Sequence, residues 1–376
     1  MGMRASAILP LHPGKAPKWL FERMVKLAKC ITKLAIDEHG VSGFMQRLSD
    51  PWFFQSLSCV LGYDWHSSGT TTVTCGALKE AITPTELGLG VAGGKGKTSR
   101  NAPHEIMKLG EGFGLTTSKI DGLIYASKMS AKVDNSLIQD DYRLYHHCFI
   151  FDENGNWIVI QQGINHDRAD ARRYHWPLEH KGFVEEPQNA ILGNSRLDNV
   201  LNMTSKFSYE NREACVDLCK EKTERVEKMI IKPVPANQSR LDEWTPLKNR
   251  EILVMPRSIN WDTLRALYEF QPSNYEELIA FHGVGTSTVR GLSLIAELIY
   301  GEKASWDDPV RFNFAFGGKD GVPYPVNRKA MDEATEILKN GVNSSNIRDE
   351  EKKRALLRLR SCVPPIPSSR KQNRSN

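Results

Sequence analysis

Leu144-Tyr145-His146-His147-Cys148-Phe149-Ile150-Phe151, then Asp152-Glu153-Asn154-Gly155-Asn156, then Trp157-Ile158-Val159-Ile160-Gln161-Gln162: this stretch decides the fold class. Two apolar, aromatic and β-branched runs flank an Asn-Gly turn, which predicts a β-hairpin. Side chains alternate along a strand, so His146 and His147 point to opposite faces, as do Gln161 and Gln162. At most one of each pair is expected in any one site. Asp152 ends its strand as a metal-binding aspartate would, but the turn that follows explains it more simply.

Outward from the hairpin the chain reads as mostly helical. Trp19, Leu20, Met24, Leu27, Ile31, Leu34 and Ile36 recur near helical spacing. Phe53 to Leu61 is a second apolar stretch, and Thr70 to Cys75 is β-branched and reads as a strand. Leu87 to Gly96 is glycine-rich, with few side chains large enough for a core. Residues 103 to 130 and 209 to 231 read as helices, whereas 187 to 206 lack periodicity. The expected fold class is α+β. A mixed domain with a central hairpin or sheet covers 1–185, and a helical connector and linker covers 186–250. An all-helical domain covers 251–340. A basic tail covers 341–376, with one helix near 348–360 and disorder after it.

The 376 residues are 40% hydrophobic and 25% charged, and no apolar run is long enough to span a membrane. Seven cysteines are scattered without a CxxC pair, which favours reduced thiols and a cytoplasmic location. The net charge of +5 is uneven. From Asn346 onward nine Lys or Arg face three acids, leaving the rest of the chain near neutral. Such a tail serves equally as an electrostatic arm for nucleic acid or as a solvated end.

Residues 275 to 301 carry the strongest motif. An apolar helix ends at His282-Gly283-Val284-Gly285, and a second starts at once with Thr286, Ser287 or Thr288 as cap and Gly301 as stop. Backbone N–H groups at a glycine turn and helix N-terminus form a clamp for phosphate. The clamp reads no base edge, so binding should be independent of sequence. Gly283, Val284, Gly285 and Thr286 would form it, and Arg290 would add a phosphate contact. The stretch resembles the helix-hairpin-helix motif of DNA repair proteins, with Val284 as the apolar plug. Glycosylases of that class imply a catalytic aspartate after Pro-Val, and the bifunctional members a lysine after Gly-Val-Gly-Thr. Here those positions are Asn327 and Ser287, so the resemblance implies the DNA-binding module without its chemistry.

Leu9 to Leu20 (Leu-Pro-Leu-His-Pro-Gly-Lys-Ala-Pro-Lys-Trp-Leu), Asp64-Trp65-His66-Ser67-Ser68-Gly69, Gly93-Gly94-Lys95-Gly96-Lys97 and Gln161-Gln162-Gly163 carry a wider resemblance. Over residues 1 to about 340 the chain resembles the chiefly archaeal domain-of-unknown-function family 763, a resemblance that implies no activity.

Chemistry is therefore read from residue types. Phosphodiester hydrolysis uses an activated water and compensation for charge, which one or two Mg²⁺ or Mn²⁺ ions held by carboxylates supply. Asp64, Asp134 and Asp141 are expected to hold such a metal, helped by His147. Lys132 or Arg172 would stabilise the developing charge. Gly96-Lys97-Thr98 ends like a P-loop, but Val91 stands where its first glycine belongs. Gly93 to Lys97 reads instead as a backbone nest, with Lys95 and Lys97 for DNA phosphates. Trp65 and Trp176 are candidates for base stacking. The expected function is a metal-dependent DNA nuclease. A noncatalytic DNA-binding adaptor and a glycosylase with a relocated nucleophile are the alternatives.

Overall fold

The computed structural model describes residues 16–62, 68–179, 182–193, 195–231, 255–256, 259–310, 312–313 and 328–362. Asp64, Trp65, His66 and Asn327 lie outside the described residues. The hairpin forms as its turn chemistry predicts. β3 (Arg143–Asp152) pairs antiparallel with β4 (Trp157–Asn165), bringing Phe151 opposite Trp157 and His147 opposite Gln161. Asp152 accepts from the backbone N–H of Asn154 and of Asn156, both at 2.9 Å, so it shapes the turn.

The hairpin is the centre of a larger sheet. β1 (Leu89–Lys95) pairs with β3, β5 (Asp170–Trp176) with β4, and β6 (Ala190–Gly193) with β5, all antiparallel. The short β8 (Phe312–Asn313) adds parallel to β6, giving the order β1-β3-β4-β5-β6-β8. The glycine-rich segment is thus a strand. An added Cβ at Gly93 would lie 2.2 Å from the His147 carbonyl oxygen, so no side chain fits where β1 passes β3. A separate pair joins β2 (Ile138–Gln139) to β7 (Leu201–Asn202).

Helices cover both faces of the sheet, which is why the inner parts of β3 and β4 are apolar on both sides and β3 to β5 are largely buried. One face carries Cys148, Ile150, Ile158 and Ile160. They pack with α1 (Lys18–Ser49), α2 (Pro51–Leu61) and α3 (Gly69–Ala81). The other carries Phe149, Phe151, Trp157, Val159 and Trp176. They pack with α5 (Ala102–Gly112), α6 (Thr117–Ser136) and α7 (Tyr209–Lys220), joined by α9 (Trp261–Phe270), α10 (Tyr275–Ala280) and α11 (Thr286–Ile295). The short α4 (Pro84–Leu87) leads into β1, and α8 (Thr223–Ile231) follows α7. The architecture is α+β.

Three segments depart from the sequence reading. Thr70 to Cys75 is helical within α3. Thr70, Thr71, Thr72 and Thr74 are buried there against α1 and β1, and tertiary packing overrides their β-propensity. A boundary near 185 would cut the sheet, because β6 and β8 lie beyond it. The 251–340 helices share the core of the sheet, Val284 and Leu292 belonging to one buried cluster with Phe149 and Trp157. The helix expected near 348–360 forms, but the tail packs on the core as far as residue 362, where its sequence predicts a solvated end or a nucleic-acid arm. α12 (Arg328–Ser344) and α13 (Asp349–Cys362) pack on α1 and α2 through Ile337, Leu338, Val342, Ala355 and Leu359. Arg358 donates to the Cys59 and Val60 carbonyls at the end of α2. Its charge therefore caps a helix C-terminus.

The far end of β5 is fastened by charge. Arg172, fully buried, pairs with Asp140 at 2.8 Å and with Asp308, and Tyr174 donates to the same Asp140 oxygen. Removing one partner leaves an uncompensated buried charge. Asp308→Ala should cost about 3–5 kcal/mol in urea unfolding. Arg265→Ala, which breaks an exposed pair with Asp262, should cost under about 1 kcal/mol.

Candidate functional site

Where β3 begins, the sheet, α6 and the 3-10 turn Gly96–Asn101 enclose an open pocket of about 470 Å³. Ser127, Lys128, Lys132 and Asn135 of α6 line it with Arg100, Tyr145, His146, His147 and Gln161. Three cationic side chains share this wall with a floor of neutral polar groups.

The floor is a chain of hydrogen bonds. Ser127 Oγ lies 2.8 Å from His147 Nε2, and His147 Nδ1 lies 2.9 Å from Gln161 Oε1. Gln161 Nε2 donates to Asp134 Oδ2 at 2.6 Å. Trp176 Nε1 donates to the same oxygen at 2.9 Å, and Gln188 donates to Oδ1. The chain fixes the tautomer. An amide whose nitrogen faces the carboxylate presents its oxygen to Nδ1, which must carry the proton. Nε2 then holds a lone pair and accepts from the Ser127 hydroxyl. Burial lowers the His147 pKa to about 4, with the Gln161 bond opposing, so the ring is neutral. Burial lifts the Asp134 carboxyl to about 7 against the bonds from Trp176 and Gln188.

His146 lies one residue away on the opposite alternation yet lines the same pocket, although alternation predicts only one of the two histidines in a site. It is buried, and neither of its ring nitrogens has a hydrogen-bond partner; burial lowers its pKa to about 3. Gln162 parts from Gln161 as alternation predicts, donating to the Ser68 carbonyl and the Tyr145 hydroxyl. Arg173 is buried over the Phe54 ring and donates to Gln55 at 3.0 Å.

The glycine turn abuts this pocket. Lys132 Nζ donates to the Phe281 carbonyl at 2.7 Å, and Gln139 Nε2 to the Thr286 carbonyl at 3.0 Å. Val284 is buried as an apolar plug, whereas Gly283 and Thr286 are exposed. Gly283 has φ +90°, and a Cβ there would meet Thr263 Oγ1 at 2.5 Å, so turn and α9 close on a bare backbone. The cap differs from expectation. Gly285 occupies the N-cap of α11 with no side-chain cap bond, and Thr286 Oγ1 turns away to the Asn135 carbonyl at 3.3 Å. The helix continues through Ala296–Tyr300 and stops at Gly301.

The expected site residues divide accordingly. Lys132 and His147 meet in the pocket, and burial lowers the Lys132 pKa to about 8. Asp134 sits behind the pocket floor, its two oxygens accepting three N–H donors. Asp141 is exposed, and its charge acts on Arg290 of α11. Among the described residues no three His, Cys, Asp or Glu side chains gather as metal ligands. The described lining of the pocket holds no Asp or Glu, the donors that Mg²⁺ and Mn²⁺ favour. Arg172 is bound into its ion-pair cluster. Trp176 is fully buried, which removes it from base stacking. Arg290 is half-buried, its guanidinium 5.2 Å from the Trp306 ring centroid. Lys95 and Lys97 are exposed beyond β1, with Lys95 Nζ 5.9 Å from the Tyr145 ring centroid. Ser127 went unread, because a lone serine in a helix has no spacing signal. Arg100 and Lys128 reach the pocket only through the packing of η-turn and helix.

A family model matches residues 5–326, described as protein of unknown function (DUF763). The chain belongs to this family. No curated protein and no solved structure matches it. The match spans the sheet, the pocket and the glycine turn together. Among the described residues no helix is long and apolar enough to cross a membrane.

Asp134→Asn sets an amide nitrogen against one of the N–H donors, and an unsatisfied buried donor costs about 1–3 kcal/mol. The pH dependence has a definite sign. The folded-state pKa, about 7, lies above the ordinary 3.8, so the stability from this proton is complete below about pH 4. It is lost as pH rises through 7. Urea unfolding from pH 4 to 8 should show this decline in the parent, and Asp134→Asn should abolish its share.

Proposed function

We propose that the protein binds DNA through its phosphate backbone, without sequence preference, and acts on the held strand in the adjoining pocket. One observation carries this reading: the bare turn at Gly283-Val284-Gly285-Thr286 and the cationic pocket are joined by the Lys132–Phe281 hydrogen bond. A phosphate at the turn faces uncapped N–H groups at the start of α11, with the helix dipole behind them. Its neighbours along the strand meet Lys132, Lys128 and Arg100. Exposed Lys95 and Lys97 extend the same charge beyond β1. The turn offers backbone N–H and no group matched to a base edge, so recognition is of phosphate.

The nuclease reading remains as an activity of the pocket without Asp134 and Asp141 as its metal ligands, since neither belongs to the pocket lining and Asp134 is engaged by three N–H donors behind the floor. The adaptor reading shares the binding step and differs in showing no turnover.

Gly285→Asp tests the clamp cleanly. A Cβ at Gly285 meets nothing within 4 Å, and its φ of −144° suits any residue. The variant should keep the parent melting temperature. Its affinity for a fluorescent duplex or single strand should fall at least about tenfold, a loss of about 1.4 kcal/mol. The parent's log Kd should rise linearly with log salt concentration. Unchanged affinity in the variant would remove the turn from the interface.

A further inference from the structure

We propose that Ser127 is the nucleophile of a metal-independent phosphodiester-cleaving centre on the floor of the pocket, with His147 as its base. The choice of substrate class rests on the backbone-binding reading above; the nucleophile itself does not.

The hydrogen-bond chain has the order such a nucleophile needs. Asp134 fixes the Gln161 amide, Gln161 fixes the proton on His147 Nδ1, and the free lone pair of Nε2 receives the Ser127 hydroxyl at 2.8 Å. A third group that orients the base is the general feature of activated serine sites, whatever the fold. Ser127, His147 and Gln161 all line the pocket, and so does Lys132, one helical turn along α6 towards the glycine turn. His147 is neutral at ordinary pH, and Lys132 titrates near 8, close enough to neutrality to give and regain a proton.

In the first step Ser127 Oγ bonds to phosphorus as its proton passes to His147 Nε2. The bond from phosphorus to the leaving sugar oxygen breaks, and that oxygen takes a proton from the Lys132 ammonium. In the second step water attacks the phosphoserine and gives a proton to the neutral Lys132 amine. The Oγ–P bond breaks, and Oγ recovers its proton from His147. Both side chains return to their starting states, and one water is consumed with no oxidant or metal. Lys128 and Arg100 offset the charge on the five-coordinate phosphorus.

The test treats the full chain with a fluorophosphonate reagent in EDTA and maps adducts by mass spectrometry. One adduct is expected, at Ser127, forming at least about tenfold slower in His147→Ala. No adduct at Ser127, or one indifferent to His147→Ala, would overturn the assignment. Because His147→Ala can loosen the core, Gln161→Met is run beside it. The thioether keeps the length, adds no charge beside Asp134 and removes the acceptor of the His147 Nδ1 proton, and it too should slow labelling. Separately, DNA carrying ³²P at internal phosphates is quenched in SDS. Transfer of label to serine in the parent and its loss in Ser127→Ala are expected. Cleavage that needs Mg²⁺ and leaves no label on protein would sink the mechanism. The reagent needs no nucleic acid, so failure of the turn as a phosphate clamp and failure of Ser127 as nucleophile are read separately.

Discussion

The carboxylate of Asp134 accepts three N–H groups from three separate parts of the chain, and the geometry around it depends on that convergence. Gln161 comes from β4, Trp176 from β5 and Gln188 from the segment before β6, while Asp134 itself stands on α6. The bonds fasten the helix to the sheet at a fixed height. Burial opposes the charge and the three donors favour it, so the group is poised instead of being a simple anion. A carboxylate in this position organises its neighbours. It orients Gln161, and through Gln161 the ring of His147.

Helix α6 serves two sites at once. One stretch of it presents Ser127 to His147 on the pocket floor, and further along Lys132 and Asn135 take hydrogen bonds to and from the glycine turn. The turn rests on the same buried cluster as the sheet, so its distance from the pocket is set by packing. The buried ion cluster of Arg172, Asp140 and Asp308 closes the other end of this face. A fold with polar groups so deep in its interior depends on each having its partner. Several buried groups lack one, among them His175 and, bordering the pocket, His146, both ring nitrogens of each being unpartnered.

Local chemistry made some features legible. The Asn-Gly turn, the alternation that parts Gln161 from Gln162, and the helix–glycine–helix run of 275–301 are all encoded within a few residues. So is the family, carried by motifs such as Gln161-Gln162-Gly163. The reading failed where long-range packing decides. The threonines of α3 lie in a helix because the interior beside α1 accepts them there. The basic tail folds because Leu338, Val342 and Leu359 find α1 and α2. Arg172 and Asp134 carry residue types suited to catalysis, and only the folded structure reveals that the one is bound into an ion-pair cluster and the other engaged by three N–H donors.

The amino-acid order by itself determined the α+β class, the central hairpin, the glycine turn and the membership of the family. The first three follow from periodicity or from turn chemistry over a short window, and the family from the resemblance of its quoted motifs. The tertiary structure alone decided which polar groups share a pocket, which carboxylates are saturated, and that a serine on α6 faces the free nitrogen of His147. Those relations join residues far apart in sequence, and hydrogen-bond direction and burial, which set their chemistry, exist only once the chain has folded.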